Sequence, residues 1–381
     1  MTETTSRRLA IDALERIETG GAYANLLVPE LLDDSGLETR DRRFVTELVY
    51  GVTRRKRALD FLVDRFLDRD DIEPRVRAAL RLGAYQLVEL GTPPHAAVDA
   101  TVAATPKRAR GFVNAVLRKV ATAPSEYPTD AIRLSYPDWI VDRLANELGP
   151  RSIAVLEAMN QPAITHTRAD GYRQDLSSQA VAALVEVPPG SAVIDLCAAP
   201  GGKSTAIAGS NSGVTVVGVD LHPHRAGLVR TAASDTASHR TDSAVHAVVA
   251  DGAQPPFAPG IADAVLVDAP CSGLGSLRRR PDARWRITAH DVSNLAELQF
   301  ELVRSAATLV RPGGTVVFSV CTLTEAESVA VDARITHDLP ELEPDFPTDG
   351  WLPWEAHGRG GRLLPDTFAG DGMAAFRYLK Q

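Results

Sequence analysis

The sequence predicts an all-α domain followed by an α/β domain built on a parallel sheet, and a change of texture along the chain carries that prediction. Through the first 125 or so residues apolar side chains recur at helical spacing, with no convincing period-2 strand between them. From Ser191 onward, short β-branched runs alternate with helix-like stretches, the pattern of strands buried on both faces by crossover helices. Length points the same way, because 381 residues exceed what one ordinary core organises.

In the first region Leu9, Ala10, Ala13, Leu14 and Ile17 share one helical face, behind caps expected at Thr4 or Thr5. Phe44, Val45, Leu48, Val49 and Val52 form a second stripe, and Val76, Ala79, Leu80, Gly83 and Leu87 a third. Residues 126–174 carry Pro128, Pro137, Pro150 and Pro162 and read as a helical connector. In the last region Ala192–Cys197, Val214–Asp220, Ala244–Ala250, Ala264–Asp268 and Thr315–Cys321 have strand length, and 203–210, 222–233 and 293–310 are helix-like. A closing hairpin is expected near Asp371–Leu379. The expected division is therefore 1–125, 126–174 and 175–381.

Hydrophobic residues at 44% and charged residues at 24% suit a globular chain rather than a disordered one. No apolar run approaches a membrane span, and the polar start Met1–Arg8 lacks the apolar core of a signal peptide. A reducing, cytoplasmic setting is expected. The three cysteines, Cys197, Cys271 and Cys321, are too few for a disulfide framework, and no spacing suggests zinc or another metal. The net charge of −8 argues superficially against nucleic acid, yet residues 1–150 account for only about −1 of it and 151–381 for about −7. Local basic clusters, not the total, bind phosphates.

The run Asp195-Leu-Cys-Ala-Ala-Pro-Gly-Gly-Lys-Ser204 sits where the first strand ends and a helix begins, the place where open α/β sheets bind ligands. Gly201 and Gly202 allow close backbone approach. A Walker loop would need Gly where Cys197 stands, and the dinucleotide pattern G-x-G-x-x-G is absent. A nucleoside-binding loop of a Rossmann-like methyltransferase remains. Asp220 ends the second strand, placed to accept from both ribose hydroxyls, and Asp251 follows the third, placed to reach an adenine edge. Any one such Asp commonly just caps a helix; three after successive strands beside a Gly-Gly loop favour a nucleoside.

Asp268-Ala-Pro-Cys-Ser-Gly273 follows the fourth strand and Ser319-Val-Cys-Thr322 ends the fifth. A lone buried cysteine is usually an inert small hydrophobe, but two at this edge, one preceded by Asp and Pro, weaken that account. Carbon 5 of cytosine becomes nucleophilic once a thiolate adds to carbon 6, helped by an acid near ring nitrogen 3. One cysteine can attack while the other assists release, and Asp268 suits the acid. Leu277-Arg-Arg-Arg-Pro-Asp-Ala-Arg-Trp-Arg286 follows, with five arginines, one aspartate and a local charge of about +4. A charge run is often only a solvated loop. Beside a catalytic edge, Arg278, Arg279, Arg280, Arg284 and Trp285 are candidate phosphate and stacking contacts for RNA, suited to holding an extruded base. The cluster Lys107, Arg108, Arg110, Arg118 and Lys119 is a further candidate.

The motifs DLCAAPGGKS, LVDAPCSG, RRRPDARW and VCT resemble the RNA 5-methylcytosine methyltransferases. Phe44–Gly51, Leu80–Leu87 and Gly111–Arg118 resemble the NusB antitermination-factor fold. The fusion is similar to the bacterial small-subunit ribosomal RNA methyltransferase B family, over most of the chain. The resemblance implies an all-α NusB-like domain followed by an α/β Rossmann-like class I methyltransferase domain that uses S-adenosylmethionine. It implies cofactor contacts from Cys197, Ala198, Ala199, Pro200, Gly201, Gly202, Lys203, Asp220, Asp251 and Asp268. By local sequence alone Pro270-Cys271 could equally be the nucleophile, as in DNA cytosine methyltransferases; the resemblance assigns that role to Cys321 and product release to Cys271. The implied partner is RNA, 16S rRNA or a small-subunit assembly intermediate, with no membrane and no metal.

Two positions depart from the family pattern. Val320 stands where Thr commonly precedes the nucleophile. Met159–Pro162 and Gln174–Gln179 are separated by only eleven residues, where the family carries a longer segment used in RNA recognition. Alternative readings are the same chemistry on another RNA, such as tRNA, or a non-catalytic NusB-like RNA-binding factor; a scaffold would have no need of Cys321, Cys271 and Asp268 together.

Overall fold

The computed structural model describes residues 2–68, 71–237, 242–347 and 354–381. The chain forms two compact units, Met1–Asp142 with Arg279–Arg286, and Arg143–Arg278 with Ile287–Gln381.

The first unit is helical: α1 (Thr2–Thr19), α2 (Ala24–Asp33), α3 (Thr39–Asp64), α4 (Pro74–Val88), α5 (Pro94–Ala104), α6 (Arg110–Thr122) and α7 (Asp130–Leu134). Helix α1 begins at Thr2, so Thr4 and Thr5 lie inside it rather than before it. Prolines open α4 and α5, where a missing N–H costs nothing. The predicted stripes converge: Ala10, Leu14, Val45, Leu48, Val49, Leu80 and Leu117 share one core. Gly83 allows α4 and α6 to close up, since a Cβ there would lie 2.3 Å from Leu117.

The unit extends to Asp142, past the expected boundary at 125, because polar groups beyond α6 are tied to α3. The Arg57 amide donates to Ser135 Oγ at 2.9 Å, and its guanidinium donates to Tyr136 O and pairs with Asp138.

The second unit is built on α8 (Asp138–Leu148, its first turn belonging to the first unit), α9 (Ser152–Met159), α10 (Leu176–Ala182), β1 (Ala192–Asp195), α11 (Gly202–Ser210), β2 (Thr215–Asp220), α12 (Pro223–Asp235) and β3 (Ala244–Val249). It continues through β4 (Ala262–Asp268), α13 (Ala289–Leu309), β5 (Val310–Val320), α14 (Val329–Asp338), β6 (Leu342–Pro344), β7 (Glu355–His357), β8 (Gly360–Leu363) and β9 (Met373–Lys380). The connector is helical only to Met159. Beyond it, residues 166–174 fold into a tight turn closed by a Thr167–Arg173 bridge.

Among the described residues the strands form one mixed sheet, ordered β3-β2-β1-β4-β5-β9-β8-β7, with β6 on the edge of β9. Strands β1 to β5 pair in parallel and β9 pairs antiparallel to β5. Alternate residues serve opposite faces: Ile194, Val265 and Val267 pack with Val303 and Ile335 of α13 and α14, whereas Val193, Ala264 and Leu266 pack with Val181 and Ile207 of α10 and α11. Each fully buried Val, Leu or Ile is worth about 1.5–3 kcal/mol, enough to hold register.

The expected hairpin at Asp371–Leu379 is instead the single strand β9. Its residues contain no turn former and bury Phe376 against Phe318 at 5.9 Å between ring centroids. Strand β9 forms one arm of a hairpin with β8 across residues 364–372, and a tighter hairpin joins β7 to β8, where Gly358 has φ +60°.

Candidate active site

Strands β1, β2 and β3 progress one way across the sheet, and β4 and β5 the other, so the topology reverses between β1 and β4. Ligands bind beyond the strand ends at such a reversal. Asp195 ends β1 and Asp268 ends β4 at this place.

The loop after β1 is held by backbone bonds from Leu196 N to Leu266 O and from Ala198 N to Val219 O, both 2.9 Å. Gly201 has φ +102°, and a Cβ on it would lie 2.9 Å from Val229 Cα, so no other residue fits at this turn into α11. The turn at 166–174 braces the loop: Arg168 donates to Gly202 O at 2.6 Å and Thr205 Oγ1 at 3.0 Å and is stacked on Tyr172. Asp195 accepts from Ser204 Oγ at 2.6 Å, and burial pushes its pKa up to about 7. Burial, with Asp195, Asp268 and Asp220 nearby, raises the Cys197 thiol and keeps it protonated.

Asp220 is buried at the end of β2, where its two oxygens accept from His222 N at 3.1 Å and Arg225 Nε at 3.0 Å. Each oxygen keeps a lone pair for a hydroxyl. Asp251 is exposed and accepts from Ala253 N through Oδ1, which leaves Oδ2 open to a ligand. Among the described residues no group of three or more His, Cys, Asp or Glu could hold a metal, and no helix is long and apolar enough to cross a membrane.

Asp268 is gripped at both oxygens, by Lys203 Nζ at 2.7 Å and Ser319 Oγ at 2.8 Å. Burial alone would lower the Lys203 pKa, but Asp268 and the Cys321 sulfur outweigh it and keep the ammonium charged. The Cys271 and Cys321 sulfurs are 3.3 Å apart, and Ser276 Oγ reaches Cys321 Sγ at 3.8 Å. The hydrogen bond to Cys321, then burial, raises Cys271 well above the usual thiol range. Cys321 lies within electrostatic reach of the Lys203 ammonium. Val320 points away into the apolar core of the sheet, so the hydroxyl nearest Asp268 in this strand is that of Ser319.

Sequence reasoning missed the groups behind these loops. Glu327 and Gln299 are fully buried and contact the segment carrying Cys271. Glu327 lies in a polar run after β5 that resembles any surface turn, and only its burial distinguishes it.

The basic segment is placed differently from a free RNA-binding loop. Residues 279–286 belong to the helical unit. Arg284 is fully buried, donates to Ser135 O at 3.2 Å and stacks 3.9 Å above Tyr136, and burial lowers its pKa to about 10. Trp285 Nε1 donates to Thr53 O at 2.9 Å, while Lys56 lies over its ring. Arg278 is buried near Asp371. Arg278 and Arg284 are therefore buried and Trp285 is half-buried with its indole N–H held by Thr53 O, while Arg279 is half-buried and Arg280 exposed. In the other cluster Lys107, Arg108, Arg118 and Lys119 are exposed, Arg108 pairing with Glu73, whereas Arg110 donates to Ala103 O and Thr105 O.

Residues 182–375 match the family model for the 16S rRNA methyltransferase RsmB/F, and residues 4–122 match the NusB family. The ribosomal RNA small subunit methyltransferase B of Thermus thermophilus is 35% identical, covering 99% of this chain and 97% of its own. The probable counterpart in Bacillus subtilis is 31% identical with 98% of both chains covered. The crystal structure of PH0851 superposes with a TM-score of 0.77 at 19% identity over 99% of each chain, a likeness of fold. A helical NusB unit, an α/β methyltransferase unit and near end-to-end relatives agree: the chain belongs to the 16S rRNA methyltransferase RsmB/F family.

Proposed function

We propose that this protein methylates carbon 5 of a cytosine in 16S rRNA, free or in a small-subunit assembly particle, with Cys321 as covalent nucleophile and S-adenosylmethionine as methyl donor. The observation that carries it is the 3.3 Å Cys271–Cys321 pair set beside the Lys203–Asp268 ion pair. The relatives' names supply the ribosomal target.

The donor set fits the cofactor. The backbone of Cys197, Ala198, Ala199, Pro200, Gly201, Gly202 and Lys203 lines the helix N-terminus. Asp220 would hold the ribose hydroxyls and Asp251 the adenine edge. When bound, S-adenosylmethionine supplies an electrophilic methyl group. The Cys321 thiolate, favoured by the Lys203 ammonium, bonds to carbon 6 of the base. The displaced electron pair is drawn toward ring nitrogen 3, where Asp268, with the Lys203 proton beside it, acts as acid. Carbon 5 then takes the methyl group. A base, with solvent water as the final acceptor, takes the carbon 5 proton; its electrons re-form the ring double bond as the carbon–sulfur bond breaks, nitrogen 3 returns its proton to Asp268 and Lys203, and Cys321 leaves as thiolate. Cys271, in contact with Cys321, assists that release.

Incubation with labelled S-adenosylmethionine and unmethylated small-subunit rRNA is expected to give 5-methylcytosine, with tRNA as the competing substrate. Cys321→Ala is expected to abolish product, and Cys271→Ala to accumulate a protein–RNA adduct stable in denaturing gels. Full activity of Cys321→Ala would sink the nucleophile assignment.

A further inference from the structure

We propose that Glu327 is a positioning residue for this reaction, tying the loop that carries Cys271 to the loop that carries Cys321. The inference rests on the two-cysteine reading above.

The carboxylate is fully buried and contacts the residue directly after each cysteine. Its Oε1 accepts from Ser272 N at 2.7 Å and Gln299 Nε2 at 3.2 Å. Its Oε2 lies within hydrogen-bond reach of the hydroxyls of Ser272 at 2.6 Å, Thr324 at 2.8 Å and Thr322 at 3.2 Å. Ser272 and Thr322 are also joined directly at 2.8 Å, and Gln299 anchors Pro270 O at 2.9 Å.

The paired strands β4 and β5 hold register only to Asp268 and Ser319. Beyond them the cysteines sit on loops that touch through the two sulfurs, through Ser272 and Thr322, and through Gly275 N donating to Cys321 O, and Glu327 adds a buried carboxylate bonded to both. The Ser272 amide and the Gln299 amide nitrogen can only donate, so their partner must accept. A glutamine would accept through one atom alone and set an NH₂ against other donors. The negative charge near Cys271 also disfavours a second thiolate beside Cys321. Glu327 therefore ties together the loops that set the spacing of the sulfurs, and its charge adds to the groups that raise Cys271.

The test uses the full chain with Glu327→Gln and, as a milder variant, Thr322→Val. Iodoacetamide labelling of each cysteine is followed against pH by peptide mass spectrometry, alongside S-adenosylmethionine binding and steady-state kinetics on rRNA. Glu327→Gln is expected to keep cofactor affinity and RNA KM within about twofold while kcat falls about 10- to 100-fold. The labelling midpoint of Cys321 should rise and that of Cys271 fall, and Thr322→Val should move both in the same directions by less. Unchanged midpoints and kcat in Glu327→Gln overturn the proposal. So does loss of cofactor binding and thermal stability in Glu327→Gln with Thr322→Val indistinguishable from wild type, since that marks a fold residue. Labelling needs no methyl transfer: midpoints that shift in a protein making no 5-methylcytosine would leave the positioning role standing and remove the target chemistry.

Discussion

Asp195 shows how a single side chain couples the loop after β1 to pH. Burial favours its neutral form and places the folded pKa near about 7, whereas the unfolded value is near about 4. Between those values the folded chain binds more protons than the unfolded one, so the Asp195 contribution is present below about pH 4 and lost as pH rises through 7. Cofactor-free Asp195→Asn should lose less stability than wild type between pH 5 and pH 8, measured by urea midpoints. Equal slopes for the two proteins would show that Asp195 is already ionised in the folded state. Its partner Ser204, one turn into α11, was visible in the motif; the burial that shifts Asp195 was not.

The segment 279–286 carries the lesson at the scale of an element. Its composition reads as a nucleic-acid loop, and charge counting cannot tell a solvated arginine from a buried one. Arg284 reaches two main-chain carbonyls and stacks on Tyr136, so its removal leaves buried acceptors unmatched and a cavity. Arg284→Ala should destabilise the protein by about 2–4 kcal/mol without changing the salt dependence of RNA binding. Arg280→Ala should do the reverse if that exposed side chain touches phosphate, leaving stability intact and lowering the salt slope by about 0.7–0.9. Urea denaturation and binding titrations across salt separate the two outcomes. The same blindness placed a hairpin where β9 runs straight, because which strand neighbours β5 is settled by packing between Phe318 and Phe376 rather than by local turn chemistry.

For the whole molecule, pH enters through His357 as well. It is buried beside Phe376, hydrogen-bonded to Ser328 at 2.9 Å, with its pKa lowered to about 4 by burial and by Arg362. The folded chain therefore holds this ring neutral, while the unfolded chain protonates it below about 6.5. Stability from this group is complete above that pH and is lost as pH falls toward 4. His357→Gln should flatten the decline of the urea midpoint between pH 7 and pH 5; an unaltered decline would assign the acid sensitivity elsewhere.

Sequence by itself placed the elements and the residues at their ends. Helical stripes, β-branched runs and a Gly-Gly turn are local patterns, and local sterics and periodicity act without knowledge of the rest of the chain. That is why the Gly-Gly loop, Asp268 and both cysteines could be placed at strand ends in advance. Only the tertiary structure decided what surrounds them: that Glu327 bonds to both cysteine loops, that Lys203 pairs with Asp268 within electrostatic reach of Cys321, and that Arg284 is interior. Those facts depend on burial and on contacts between residues far apart in the chain, and a residue's letter does not record either.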